Sequence, residues 1–169
     1  MQCSKRHWTR ESKPQKTRQK LLAQEIKTMD YEITNQISAE EYNEMRKIVG
    51  WTALPNIQAE DGLKHTSHLC CFRKDGKAIA FFRVLWDQLY VAYIADVIVR
   101  PEFQGKGLGR ELMNNAMEFI KSQLKPGYKI MVNLMAAKGK EDFYKKFGFI
   151  SRPNESFGCG MCQWAQHST

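Results

Sequence analysis

The run Pro101-Glu102-Phe103-Gln104-Gly105-Lys106-Gly107-Leu108-Gly109-Arg110 decides the fold, because it joins two different periodicities. Before it stands Val91-Ala92-Tyr93-Ile94-Ala95-Asp96-Val97-Ile98-Val99, rich in β-branched residues and bounded by a proline, the pattern of a buried strand. After it, Leu112, Met113, Ala116, Phe119 and Ile120 recur at helical spacing, which predicts a helix opening at or just after the glycines. A strand, a glycine turn and a helix start present free backbone N–H groups and the positive end of a helix dipole to one point. The ligand expected there is an anion, a phosphate or diphosphate. Gly107 and Gly109 let the backbone approach it without a Cβ in the way, and Lys106 and Arg110 add mobile positive charge.

The spacing excludes two common phosphate motifs. No Ser or Thr follows a Gly-Lys as a P-loop requires, and glycines at 105, 107 and 109 do not make G-x-G-x-x-G. The run does match Gln/Arg-x-x-Gly-x-Gly/Ala. With Asp-Val-Ile-Val-Arg-Pro-Glu-Phe before it and Phe143-Tyr144-Lys145-Lys146-Phe147-Gly148-Phe149 after it, the chain resembles the GCN5-related N-acetyltransferase (GNAT) family, from about residue 30 to 165. The resemblance implies an α+β fold, a mixed central sheet of about six to seven strands flanked by about four helices. It implies acetyl-CoA as co-substrate and transfer of its acetyl group to a primary amine by direct attack in a ternary complex.

What the resemblance implies for single residues follows the motif. Gln104, Gly105, Lys106, Gly107, Leu108, Gly109 and Arg110 would hold the diphosphate. Pantetheine would lie where two central strands, one ending near Val99 and one starting near Tyr128, splay apart. It would bond to the edge formed by Val97, Ile98 and Val99 like an added strand. A backbone N–H at Val97 or Ile98 would polarise the thioester carbonyl. Tyr144 would protonate the departing thiolate. For an ordinary phenol (pKa about 10) and thiol (about 8.5) that transfer is uphill by about 2 kcal/mol, an acceptable cost for a group already hydrogen-bonded to sulfur. The structural alternative for Tyr144 is packing between Phe143 and Phe147. The chain departs from the pattern at Ala137 and Lys140, where many relatives have Asn and Ala, so a pantetheine contact from that Asn is not carried over; Asn133 is a loose substitute.

An amine of lysine type is neutral in only about one molecule per thousand at pH 7, so its proton needs an acceptor. Asp96 is the acid nearest the expected oxyanion strand, and its burial would be expensive without a partner or a task. It could accept the proton directly or through water, or anchor the incoming ammonium. Glu102 is the other nearby carboxylate and suits the helix N-terminus or solvent better.

In chain order, the domain is expected over residues 29–169. Tyr31 to Thr34 predicts a strand, and Ser38-Ala39-Glu40-Glu41 a capping box opening a helix that Gly50 stops. Trp51 to Pro55 is a loop before a weaker helix around Ile57 to Leu63. In relatives this segment walls the acceptor site, which makes Trp51 and Leu54 candidates to touch substrate, with Trp51 equally suited to plug the core. Asp75-Gly76 marks a hairpin between strands 66–73 and 77–85. Tyr128 to Met135 predicts an interior strand, Gly139 to Phe147 a short helix, and Phe149-Ile150 and Cys159 to Trp164 the last strands. Trp86, Tyr90 and Tyr93 could line an aromatic pocket, or serve the core. Glu155 could attract a cationic amine.

Residues 1–28 form a basic extension, with eight Lys or Arg against two Glu in a chain of net charge +8. A nucleic-acid contact through it is disfavoured against a solvated arm, or a short helix docking through Leu21, Leu22, Ile26 and Met29. No apolar run is long enough to span a bilayer, and no secretory signal is evident. Five cysteines without regular spacing fit a reducing cytoplasm. Cys159 and Cys162 have C-x-x-C spacing without a second pair, and the histidines lack metal spacing, so no metal is expected; His65 and His68 should face solvent. The acceptor class is a small-molecule or peptide amine, and a homodimer through the C-terminal strands is compatible with their apolar character. The competing reading is a non-catalytic acyl-CoA-binding sensor of the same fold.

Overall fold

The computed structural model describes residues 30–165, so the basic extension, its expected docking helix, and His7 and His167 lie outside the described residues. The described residues divide into two compact units, the first ending at Asn133 and the second beginning at Leu134. In the first unit the order is β1 (Glu32–Thr34), α1 (Ala39–Ile48), α2 (Asn56–Lys64), β2 (His68–Lys74), β3 (Lys77–Trp86), β4 (Val91–Val99), a 3₁₀ turn (Pro101–Phe103), α3 (Leu108–Ser122) and β5 (Met131–Asn133). The second unit contains α4 (Glu141–Lys145).

One mixed sheet runs in spatial order β1-β2-β3-β4-β5, antiparallel as far as β4 and parallel between β4 and β5. Local chemistry sets its turns. Asp75 and Gly76 both adopt positive φ, 51° and 74°, the geometry that suits a tight hairpin to strand twist. Both halves of the α1 capping box are formed: Ser38 Oγ accepts from Glu41 N–H, and the Glu41 carboxylate accepts from Ser38 N–H.

Burial is continuous through Leu69–Phe72 and Ala78–Phe82 rather than alternating, which requires cover on both faces of the sheet. One cover is α1 and α2: Tyr42, Met45 and Ala59 join Leu69, Cys71, Phe81 and Ile98 in one buried cluster, with Tyr42 edge-on to Phe81 at 5.7 Å. The other is α3, which packs on β2, β3 and β4 with Leu108, Leu112, Met113, Ala116 and Ile120 buried. Cys70 and Cys71 are both buried, and burial pushes their thiols up to about 12 and about 11.

Several expectations need correction. The described residues form five strands, not six to seven. The interior strand expected over Tyr128 to Met135 is reduced to Met131–Asn133, with Met131 43% exposed: it pairs on one side only, and an apolar run does not bury an edge. Residues 149–150 and 159–164 form no strand; Ile150, Met161 and Trp164 are exposed, and apolar character alone does not make a strand without a pairing partner. This removes the strand placement expected for Cys159 and Cys162, which are exposed free thiols. The helix expected over 139–147 is limited to Glu141–Lys145, with Gly139 at φ 79° just before it. His68 does not simply face solvent: its ring stacks on Phe119 at 4.3 Å and its Nε2 meets Asn115 Oδ1 at 2.9 Å, because β2 opens beneath α3.

Arg73 grips Glu41 through both terminal nitrogens, at 2.7 and 2.6 Å. This bonding is the main reason the Glu41 carboxyl sits below its usual 4.5. A lowered folded-state pKa gives a contribution complete above that value and lost as pH falls through the lowered one. Glu41→Gln is therefore expected to flatten the acid side of a Tm-against-pH curve. Ser38→Ala should cost about 1 kcal/mol at neutral pH, measured by chemical denaturation.

Candidate functional site

The site begins with an irregularity in β4. Arg83 faces Ala95 and Phe81 faces Ile98, so the single residue Phe82 of β3 stands against both Asp96 and Val97. This is a β-bulge, and Asp96 adopts φ 52°, a left-handed conformation that favours glycine. Its side chain holds it there. The Asp96 carboxylate accepts from Tyr42 Oη at 3.0 Å, from an Arg46 terminal nitrogen at 3.3 Å and from Arg83 Nε at 2.5 Å. With Asp96 only 8% exposed, these partners are what make an ionised carboxylate tolerable at this depth.

The bulge lies where the sheet loses a neighbour. The β4–β5 ladder pairs Val91, Ala92 and Tyr93 with Met131, Val132 and Asn133, and there β5 ends. Among the described residues no strand pairs with that edge of β4 from Ile94 to Val99. The expected pantetheine partners Val97, Ile98 and Val99 therefore lie on an open backbone edge. Ile98 itself is buried in the cluster under α1, so its side chain serves the core.

Beyond β4 the chain is pinned before it turns. Arg100 donates from its backbone N–H to Ile79 O, from Nε to Ala78 O, and from a terminal nitrogen to Glu44. Gln104 Nε2 donates to Val99 O at 2.9 Å, tying the loop back to the strand. Gly105 and Gly107 then take φ 76° and 93°, and Gly107 is the N-cap of α3 without any side-chain cap. The Leu108 and Gly109 N–H groups are thus left to an outside acceptor, while that of Arg110 donates to Gly107 O at 2.9 Å; beside them stand the exposed Arg110 and the half-buried Lys106, whose ammonium lies 5.1 Å from the Phe103 ring centre. Leu108 is fully buried and can contribute only main chain.

On the α1–α2 side an open groove of about 680 Å³ is lined by residues including Leu54, Ile57, Gln58, Asp61, His65 and Arg83. Buried Asn43 fixes its lip, exchanging two 2.9 Å hydrogen bonds with the Leu54 backbone. Of the two proposed substrate contacts, Leu54 lines this groove, whereas Trp51 covers the Arg46 guanidinium at 5.5 Å. Trp86, Tyr90 and Tyr93 do not line it.

Sequence reasoning passed over Tyr42, Asn43, Arg46, Arg83 and Arg100. A signal existed for Arg83, a charge inside the apolar run 78–85, and for Arg46, one turn after Tyr42 on a helix face meant for the core. In the second unit, Tyr144 on α4 is half-buried, with its ring 5.0 Å from Phe143 and 6.3 Å from Phe149. Glu155 is exposed. Among the described residues no three His, Cys, Asp or Glu side chains come together as a metal site, and no helix is long and apolar enough to cross a membrane.

Comparison with known proteins points the same way. Residues 28–149 match the acetyltransferase (GNAT) family. An uncharacterized N-acetyltransferase ycf52 of Porphyra purpurea is 30% identical over 134 residues, covering 77% of this chain and 75% of that one. GCN5-related N-acetyltransferase 1, chloroplastic, of Arabidopsis thaliana is 30% identical over 123 residues, 72% of this chain and 60% of its own length. The crystal structure of a probable acetyltransferase from Staphylococcus aureus, SA2161, superposes with TM-score 0.72 at 24% identity, covering 80% of this chain and all of that one. A bulged strand running into an uncapped glycine turn, within a chain so matched, makes this protein a member of the GNAT family and an acyltransferase of the GNAT fold.

Proposed function

We propose that this protein transfers the acetyl group of acetyl-CoA to a primary amine by direct attack within a ternary complex. The observation that carries the reading is the junction of an open β4 edge with an uncapped helix N-terminus. The backbone N–H groups at Gly105 to Gly109 receive the diphosphate, with Gln104 shaping the loop and Lys106 and Arg110 adding charge. Val97, Ile98 and Val99 offer main-chain groups to an extended amide chain, as one strand does to the next. The bulge turns one N–H, of Val97 or Ile98, toward the carbonyl that becomes an oxyanion.

Acetyl-CoA supplies a thioester carbonyl. Attack by the neutral amine forms the C–N bond and breaks the C–S bond; Tyr144 gives a proton to the departing thiolate, the amine's proton leaves to solvent, and Tyr144 is reprotonated from solvent. Asp96 enters as a positioning residue. Its oxygens are engaged by two guanidinium groups and a phenol, so it acts through the backbone that it holds. The catalytic domain is taken as residues 29–169. The four cysteines among the described residues are free thiols, which supports a reducing compartment, the cytoplasm or, as the Arabidopsis relative's name has it, the chloroplast.

Calorimetry with acetyl-CoA tests the core of this reading. Gly107→Val forces a β-branched residue to φ 93° and should weaken binding by about tenfold or more, whereas equal heats for variant and wild type would refute the loop assignment. Tyr144→Phe should lower kcat by about a hundredfold with acetyl-CoA affinity unchanged; a protein without turnover to lose is a sensor instead. Asp96→Asn leaves two guanidinium groups sharing no counter-charge and should cost about 3 kcal/mol of stability together with rate. A rate loss at unaltered stability would mark Asp96 as the proton acceptor.

A further inference from the structure

The network around Asp96 does not balance. Arg46 and Arg83 share one carboxylate, and the three side chains are only 13%, 18% and 8% exposed. The Tyr42 hydroxyl, its pKa raised chiefly by burial, brings no charge to the group. One positive charge in a half-desolvated place is left without a counter-charge, which is costly until an anion arrives.

The two arginines differ in where they stand. Arg46 donates from Nε to Thr52 O and from one terminal nitrogen to Tyr42 and Asp96, with its faces against the Tyr42 and Trp51 rings; its other terminal nitrogen has no partner among the described residues, but Arg46 does not line the groove. Arg83 commits Nε to Asp96 and makes one long bond of 3.4 Å to Gly62 O, while Nη2 has no partner among the described residues. Arg83 is also the member of the network that lines the open groove. The groove's one carboxylate, Asp61, is exposed and paired with Lys64 at 3.1 Å, and His65 Nδ1 lies 2.7 Å from the Asp61 main-chain oxygen. Leu54 and the 76%-exposed Ile57 supply apolar wall.

Resting on the acetyltransferase reading, we propose that the amine acceptor carries an oxyanion group, a carboxylate or a phosphate, which docks on the free side of the Arg83 guanidinium. Its aliphatic body lies along Leu54 and Ile57. A planar fork of donors suits such an oxyanion better than a point charge does. Because Arg83 also holds Asp96 in the bulge, an anion bound there is anchored one hydrogen bond away from the strand that carries the chemistry.

The test uses full-length protein, acetyl-CoA and matched amines: β-alanine against β-alanine amide, and O-phosphoethanolamine against ethanolamine. Thiol release is followed and rates are referred to the neutral-amine fraction. Wild type should favour the anionic member of at least one pair by about tenfold or more in kcat/KM, the size expected of a hydrogen bond to a charged group. Which pair shows the larger ratio separates carboxylate from phosphate. Arg83→Met should bring the ratio to about one, while Arg83→Lys should retain part of it. If Arg83→Met does not fold, Gln58→Glu, on the exposed groove wall, should lower the same ratio through like-charge repulsion; an unchanged ratio there overturns the proposal. Thiol release with neutral amines at equal or higher efficiency overturns the anion site and leaves the transferase reading standing. No thiol release with any amine overturns both.

Discussion

Everything near the site depends on the grip of two arginines on Asp96. A residue other than glycine at φ 52° relaxes toward ordinary strand geometry unless something opposes it, and relaxation here would erase the bulge. Side chains alternate along a strand, so losing one extra residue would turn every later side chain of β4 to the other face. Ile98 would leave the cluster beneath α1, and the glycine turn would start from a rotated strand end. Salt bridges are often neutral in stability, but this one holds a conformation, which is a separate role.

The rest of the unit keeps that strand end still. Arg100 joins the exit of β4 to the start of β3 and to α1 through three donors. Gln104 closes the loop onto Val99. Asn43 does the same for the segment before α2, with an amide that mimics a backbone pair. These polar side chains act where regular secondary structure stops, and those of Arg100 and Asn43 satisfy half-buried main-chain groups. The glycine turn is thereby held while its own N–H groups stay available.

The parts legible in sequence are those encoded by local patterns. The Asp-Gly hairpin, the Ser38–Glu41 box and the glycine turn each depend on a few neighbouring residues, and each is where the pattern put it. Tyr128 to Met135 and Cys159 to Trp164 read as strands because composition reports propensity, while a strand also needs a partner elsewhere in the chain. The same limit hid the polar network. Arg46 and Arg83 are 37 positions apart and meet only at Asp96, so nothing in either neighbourhood announces their pairing. Asp96 stood out because a lone acid in an apolar strand requires an explanation; the two cations that supply it come from a helix and another strand.

The paired sulfurs inside β2 carry a chemical consequence. Only a thiolate attacks a thioester, and burial holds Cys70 and Cys71 protonated far above neutral pH. The sheet therefore offers an activated acyl group no covalent resting place on either atom. Covalent capture by these two core thiols is closed off by desolvation alone.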